Sequence, residues 1–502
     1  MMEKTSRPTT NSALDPSIDE IRRWGAAAIE TMARYLDSIR DRRLYPQTSS
    51  QKIREKLKLA LPQEGRGIEQ LLDTFDQVIV PMSRQNGHPR MFGYVQAPGT
   101  AIAALADLLA STLNANLTAW RSAPAAVEVE RLTIDWIKQI LGVPASAAGL
   151  FVSGGSMANL AALAAARQAK GPDDLANKGA QSLPKAMRVY LSTQTHHSVA
   201  KAAGLLGIGR DNVRLIEVDE RFKIRIDDLV AKISEDLKAG HLPFCVVANA
   251  GTVNTGAFDP LAEVSEVAQR FNLWMHVDAS YGGFAVLGQS TKKLFKDLPN
   301  ADSVALDPHK WLYLPVDCGC VLYRDPETAR ATFAHDAEYT RVLEQAPDEA
   351  FAFWDYGPEL SRRFRALKVW MTLECVGVRR FAEMIEKDLA CARHLEQLVQ
   401  ASDDFDMLAP VELSIFCFRY TGRKNKVALI SANETERKRI ESELDGFNER
   451  LLIALQQDGS SYLSNTNLNG RFCLRGSVLN YRTTLRDMEI LLDDLRRLAG
   501  SL

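Results

Sequence analysis

Lys310 stands in the run Asp307-Pro308-His309-Lys310-Trp311-Leu312, directly after the apolar stretch Ser303-Val304-Ala305-Leu306. Most lysines end in solvent. This one lies between an expected buried strand and a tryptophan–leucine pair, and a partly desolvated amine is a usable nucleophile toward a carbonyl. Upstream, Asp278 closes a second apolar run, Trp274-Met275-His276-Val277, and opens Ala279-Ser280-Tyr281-Gly282-Gly283. Alone, such an aspartate reads equally well as a helix cap or half of an ion pair. A lysine and an aspartate at successive strand ends are, however, what pyridoxal 5′-phosphate (PLP) chemistry needs. The amine holds the cofactor aldehyde as a Schiff base, and the carboxylate pairs with the pyridinium nitrogen. At ~4 Å that pair is worth about 4 kcal/mol at an effective dielectric of about 20, against about 1 kcal/mol in water. The larger figure is on the order of three pKa units, enough to keep the ring protonated as an electron sink.

A third signal precedes both. Phe151-Val152-Ser153-Gly154-Gly155-Ser156-Met157-Ala158-Asn159 reads as a strand end, a glycine turn and a helix start. Small residues there let backbone N–H groups approach an anion at the positive end of the helix dipole. Gly155, Ser156 and Met157 are the expected phosphate donors. Gly-Gly-Ser also occurs in plain turns, and it is the order cradle, aspartate, lysine that gives the motif weight. Two metal readings are weaker. His196-His197 are adjacent and point apart with no third ligand in view, and Cys318-Gly319-Cys320 has one spacer and no second pair. The polar, Ala-rich segment Asp325 to Gly357 has the size of a lid.

Together these motifs resemble the group II PLP-dependent amino-acid decarboxylases, most closely the aromatic-L-amino-acid decarboxylase branch, from about residue 18 to the C-terminus. The resemblance implies an aspartate-aminotransferase-like type I PLP fold with a mostly parallel seven-stranded sheet, assembled as a homodimer. It implies that His196 stacks on the pyridine face and takes part in catalysis, and that His309 lies beside the phosphate. Ser280, in the aspartate motif, joins the cofactor contacts. Thr252, in Ala250-Gly251-Thr252-Val253-Asn254, matches the first threonine of a loop under the cofactor, while Val253 replaces the second. Tyr339 matches the lid tyrosine that protonates the α-carbon after carbon dioxide leaves. Relatives with phenylalanine there tend to form aldehydes, so Tyr339 argues for simple decarboxylation.

By the same resemblance, Tyr94, in Gly87-His88-Pro89-Arg90-Met91-Phe92-Gly93-Tyr94, is a substrate-pocket wall. Arg362 or Arg363 is a candidate for touching the site, and Arg475, Asn480 and Thr483 are structural. The implied reaction takes an L-amino acid, aromatic by first choice, to its amine and carbon dioxide. Two departures bear on the substrate: Asn116-Leu117-Thr118 lacks an aromatic common in DOPA-type relatives, and Ser361 is closer to the histidine decarboxylase version of its motif. Histidine or an acidic amino acid is the runner-up. An aldehyde synthase, a PLP aminotransferase or desulfurase, and a non-catalytic binding paralogue are the rival classes.

These motifs need elements to position them. Val189–Leu191, Phe244–Val247, Trp274–Val277, Ser303–Leu306 and Cys320–Tyr323 read as buried strands alternating with amphipathic helices, hence an α/β fold whose sheet is largely parallel. Ligands of such sheets lie at the carboxyl ends of the strands. Asp259-Pro260 is expected to cap and start a helix reaching about Phe271. Ser17 with Glu20 forms a capping-box pattern, and Ile18, Ile21, Trp24, Ala28, Met32, Tyr35 and Ile39 then make one apolar stripe. The expected organisation is an N-terminal helical arm and dimerisation segment (1–94), a large PLP-binding domain (95–375) and a small C-terminal α+β domain (376–502). In the last, strands are expected at Ser414–Tyr420 and around Arg471–Leu474.

The 502 residues carry a formal net charge of −2, with 46% hydrophobic and 25% charged residues, which are globular values. The basic residues are dispersed, which speaks against nucleic acid as a partner. No run suits a membrane span: the most apolar stretch, 145–166, is broken by Ser153, Ser156 and Asn159. Seven scattered cysteines and a polar start point to a cytoplasmic protein with reduced thiols.

Overall fold

The computed structural model describes residues 14–57, 60–335 and 349–502. Seven strands form the central sheet: β1 (Ala148–Val152), β2 (Met187–Ser192), β3 (Val213–Ile216), β4 (Leu242–Asn249), β5 (Trp274–Ala279), β6 (Ser303–Leu306) and β7 (Gly319–Tyr323). Their spatial order is β1-β7-β6-β5-β4-β2-β3. The β2–β3, β2–β4, β4–β5 and β5–β6 pairings are parallel, as helical crossovers require. β7 runs antiparallel to both β6 and β1, because the short connection 307–318 doubles back instead of crossing over. Lys310 lies in that connection. The five strands expected from sequence are all present; β3, with the half-buried run Val213-Arg214-Leu215-Ile216, gave no comparable apolar signal.

The helix Gly155–Lys170 packs across the sheet, with Ala158, Ala161, Ala162, Ala165 and Ala166 buried. Alanine side chains let a helix lie close to a sheet at little entropic cost. At the other end of the chain, β8 (Phe405–Met407), β9 (Ile415–Tyr420), β10 (Ser464–Leu468) and β11 (Arg471–Ser477) form a four-stranded antiparallel sheet in the order β10-β11-β9-β8. Its own core joins Phe405, Phe416, Phe418 and Leu474 to the helices Val378–Gln400, Glu434–Asp458 and Leu485–Ala499.

Several local expectations change. The Ser17–Glu20 capping box is formed, opening the helix Ile18–Asp37, but Ile18 and Ile21 on its apolar stripe are 62% and 54% exposed in the single chain. The helix after Asp259-Pro260 spans Leu261–Arg270 without a side-chain cap. Asp259 turns inward instead, accepting from the backbone N–H groups of Ile224 (2.8 Å) and Asn249 (2.7 Å) and from Asn249 Nδ2 (2.8 Å). A buried carboxylate is better satisfied by three donors, two of them from Asn249 at the end of β4, than by one helix terminus. The lid segment is not one continuous loop. It contains the helix Pro326–Phe333, capped by Asp325, and its far end is anchored where Phe353 N–H bonds Thr118 O and Trp120 N–H bonds Phe351 O. Tyr339 lies outside the described residues.

Candidate active site

β4, β5 and β6 end side by side, with Asn249 opposite Asp278 and Asp278 opposite Ala305 in register. A cavity of about 640 Å³ opens at these carboxyl ends. Gly155, Ser156, Met157, His196, Asp278, Ser280, His309, Lys310 and Tyr94 all line it. Residues scattered over more than two hundred positions thus meet in one place.

Each is held by its element. After Asp307 leaves β6, Pro308 opens the one-turn helix Pro308–Trp311. Lys310 Nζ is 2.9 Å from Asp307 Oδ2, with the lysine side chain 17% exposed and that of the aspartate 3%. His309 Nδ1 donates to Cys318 O at 2.7 Å, and burial lowers the pKa of its ring. Asp278 is buried; its Oδ2 accepts from Asn159 Nδ2 at 2.9 Å and its Oδ1 from Ser280 N–H at 3.1 Å. Burial would raise its carboxyl, but the contacts from Ser280 and Asn159 and the nearby His276 more than offset that and hold it below the usual carboxylate range. His196 caps the helix His197–Leu205 through Nδ1, which contacts Ser198 Oγ at 2.8 Å. His197 beside it faces solvent.

The glycine turn has the form of an anion cradle. Gly155 opens its helix, and a Cβ placed there would sit 2.4 Å from Ser280 Oγ, so the position requires glycine. Among the described residues, the Gly155 and Ser156 N–H groups find no backbone acceptor. Met157 N–H is taken by Gly154 O at 2.9 Å, which leaves a shorter donor pair than the sequence suggested. Among the described residues, Ser280 Oγ and Asp307 Oδ1 are buried with no hydrogen-bond partner. An amine, a desolvated carboxylate that stays ionised and a helix N-terminus, together with these orphaned oxygens, fit the aldehyde, ring nitrogen and phosphate of PLP.

Three expectations shift. Thr252 is buried off the cavity lining; its hydroxyl is used within the loop, 3.0 Å from Thr255 Oγ1 and 3.1 Å from Ala257 N, while Val253 does line the cavity. Neither Arg362 nor Arg363 lines it. Arg362 is buried against Glu130 and bonds Phe151 O at 3.0 Å, and Arg363 reaches Asp107 at 3.2 Å. Arg475, expected to be only structural, forms cavity wall. It donates to Asn254 O at 3.1 Å, Tyr94 O at 3.3 Å and Ser464 Oγ at 3.2 Å. Asn159, Asn249 and Gln456 are lining residues that sequence reasoning missed, since a lone amide carries no spacing signal.

The pyridoxal-dependent decarboxylase conserved domain matches residues 50–421. The chain belongs to the pyridoxal-dependent decarboxylase family. It is 35% identical to an aromatic-L-amino-acid decarboxylase from Bacillus atrophaeus, over 97% of each chain. A phenylacetaldehyde synthase from Petunia hybrida is 29% identical, over 93% of this chain and 92% of that one. Among solved structures, Oryza sativa TDC with PLP and tryptamine superposes with a TM-score of 0.89 at 28% identity, covering 98% of this chain and 99% of that one. Membership gives the pyridoxal-dependent decarboxylases' cofactor, PLP, and their type I fold, and makes this chain a carboxy-lyase acting on an amino acid. No helix among the described residues is long and apolar enough to cross a membrane.

Proposed function

We propose that the protein decarboxylates an aromatic L-amino acid to its amine, working as a homodimer in the cytoplasm. The observation that carries the reading is the meeting of Lys310, Asp278, His196 and the Gly155–Ser156 turn in one cavity. Similarity to an aromatic-L-amino-acid decarboxylase over nearly the full length supports the aromatic class. PLP, when bound, would supply the electron sink for the electron pair left on the α-carbon as carbon dioxide departs. Lys310 Nζ is the amine that carries the cofactor, and Asp307 orients it. Asp278, kept ionised by its donors, holds the proton on the ring nitrogen. Gly155 and Ser156 N–H groups and His309 receive the phosphate. His196 covers the ring face and orients the substrate, which fixes the bond to be broken and separates decarboxylation from transamination. Tyr94 bounds the substrate side chain, and Tyr339 returns a proton to the α-carbon.

The dimer is supported by two exposed apolar faces. Besides the stripe of the first helix, the helix Ala101–Leu113 presents Leu108, Leu109 and Leu113 at 54%, 52% and 65% exposure. Exposed apolar faces of this kind are what a second copy of the chain would cover. The seven free cysteines, six of them buried, fit a reducing compartment.

The Petunia relative supports a second reading, oxidative formation of an aldehyde, and the two readings divide at Tyr339. The test is mass-spectrometric product analysis of PLP-loaded protein against the proteinogenic L-amino acids, DOPA and 5-hydroxytryptophan. Amine from aromatic substrates is the expected outcome, with Tyr339→Phe shifting product toward aldehyde and peroxide. Aldehyde from the unaltered protein would replace the reading with the second one, and amine from histidine or an acidic substrate alone would overturn the aromatic class.

A further inference from the structure

From the cavity wall inward runs a chain of buried polar side chains, most of which the reaction itself does not call on. Trp274 Nε1 lies 2.8 Å from Ser303 Oγ, and Ser303 Oγ lies 2.9 Å from His276 Nδ1. His276 Nε2 is 2.9 Å from Asn159 Oδ1. Asn159 Nδ2 reaches both Asp278 Oδ2 at 2.9 Å and Ser198 Oγ at 3.0 Å. Ser198 Oγ in turn lies 2.8 Å from His196 Nδ1. Asn159, Ser198 and His276 are 1%, 3% and 0% exposed, so no water competes for these bonds.

The donor inventory fixes every proton in this chain. A carboxylate only accepts, so the Asn159 amide nitrogen must face Asp278, and its oxygen therefore faces His276. That oxygen needs a donor, so His276 carries its hydrogen on Nε2. Burial lowers the His276 pKa to about 4, so the ring is neutral and Nδ1 accepts from Ser303, which already takes the Trp274 N–H. On the other branch, the second Asn159 N–H is donated to Ser198 Oγ. His196 Nδ1 also receives the Ser198 backbone N–H at 3.3 Å, so it holds a lone pair, and the Ser198 hydroxyl donates to it. His196 must then carry its hydrogen on Nε2.

We propose that Asn159 is a positioning residue that joins the two sides of the cofactor site: its single amide nitrogen holds Asp278 in place and, through Ser198, fixes His196 as the neutral Nε2–H tautomer. The inference rests on the reading that Asp278 and His196 face bound PLP. It adds a division of labour. Asn159 acts on both partners, whereas Ser198 acts on His196 alone.

Three variants test it, read by PLP affinity (fluorescence titration of the apoprotein) and by long-range 1H–15N spectra of histidine-labelled apoprotein, with His196→Gln giving the assignment. Removing a donor from a buried charge is expected to weaken PLP about ten-fold or more in Asn159→Leu. Asn159→Asp keeps the shape but sets a carboxyl against Asp278. Its PLP affinity should fall near pH 8 and recover toward pH 6, where the two carboxyls share a proton, a recovery that a merely structural defect would not show. Ser198→Ala should leave PLP affinity within about two-fold while His196, left with only the backbone N–H of residue 198 on Nδ1, holds its tautomer more weakly and protonates at higher pH, because the hydroxyl donor to its neutral form is gone. The charged and titratable groups facing that ring, His197 on its own helix, Asp278 from β5, and Asp307 and Lys310 from the turn after β6, are unchanged in this variant.

Wild-type PLP affinity in both Asn159 variants, or His196 protonating at an unchanged pH in Ser198→Ala, would overturn the coupling. If Asn159→Leu does not fold, the pH recovery of Asn159→Asp decides alone. An unaltered protein that binds no PLP, or whose Lys310→Ala variant still turns over, would instead sink the reading of the site on which the inference rests.

Discussion

The two ends of the cavity are built differently. At the cofactor end, each group belongs to a short contiguous motif at a strand end: Gly155 after β1, Asp278 at the end of β5, Lys310 after β6. At the end proposed for the substrate, Tyr94 has a left-handed backbone (φ 65°) and depends on residues hundreds of positions away. Arg475 bonds its carbonyl, Asn480 Nδ2 bonds His88 O at 2.9 Å, and Thr483 Oγ1 bonds Pro89 O at 2.6 Å. The Met91–Tyr462 bridge, with Phe92 N–H on Tyr462 O at 3.0 Å, lays this N-terminal segment against the antiparallel sheet. The end proposed for the cofactor is thus held by the parallel sheet, and the Tyr94 wall proposed for the substrate by a clamp between the two extremities of the chain.

Two substitutions should separate these ends. The larger effect is expected from Lys310→Ala: turnover should fall to background, and borohydride reduction followed by mass spectrometry should find no PLP on the chain. Residual turnover near the wild-type rate would move the chemistry away from this end altogether. A smaller and selective effect is expected from Arg475→Lys. Lysine keeps the charge but cannot reproduce a planar fork that meets Tyr94, Asn254 and Ser464 at once. Catalytic efficiency should drop about ten-fold or more through KM, with PLP affinity within about two-fold, measured by steady-state kinetics beside PLP titration. Equal losses in both would mean that the two ends are one mechanical unit.

The same division explains what could be read from sequence. The placement of Lys310, Asp278 and the glycine turn at strand ends around one cavity was legible because strand, turn and helix start are local events with fixed residue requirements. β7 was legible as a strand but not in its direction, since the connection 307–318 carries no two-residue turn signal. Asp259 read as a helix cap because Asp-Pro is a strong local pattern; only tertiary structure shows three inward donors competing for it. Arg475 looked structural because nothing near it in sequence hints that its carbonyl partners lie at Tyr94 and Asn254. Asn159 was visible only as the last residue of a motif, although it makes contact with Asp278 and His276, more than a hundred positions downstream.

The smallest effect sharpens the contrast from behind the cofactor end. Three residues after Lys310, Tyr313 adopts a left-handed backbone (φ 50°), bonds Lys310 O through its N–H at 3.1 Å, and donates its hydroxyl to Asp388 Oδ2 at 2.9 Å. Burial pushes the Asp388 carboxyl up to about 7, against the opposing effect of the Tyr313 hydroxyl. That value lies above the unfolded one of about 3.9. Between the two, the native state binds the extra proton, so the contribution is complete below about pH 4 and is lost as pH rises through about 7. Asp388→Asn stays neutral throughout, and its amide oxygen still accepts from Tyr313. The variant should melt at the wild-type temperature near pH 4 and above it near pH 8, by scanning fluorimetry across that range. If the turn that carries Lys310 feels this anion, PLP release from the unaltered protein should quicken over the same interval while the variant's does not. Parallel melting curves would remove Asp388 from the support of the cofactor end, and a melting difference without any change in PLP release would confine its effect to the core beneath the turn.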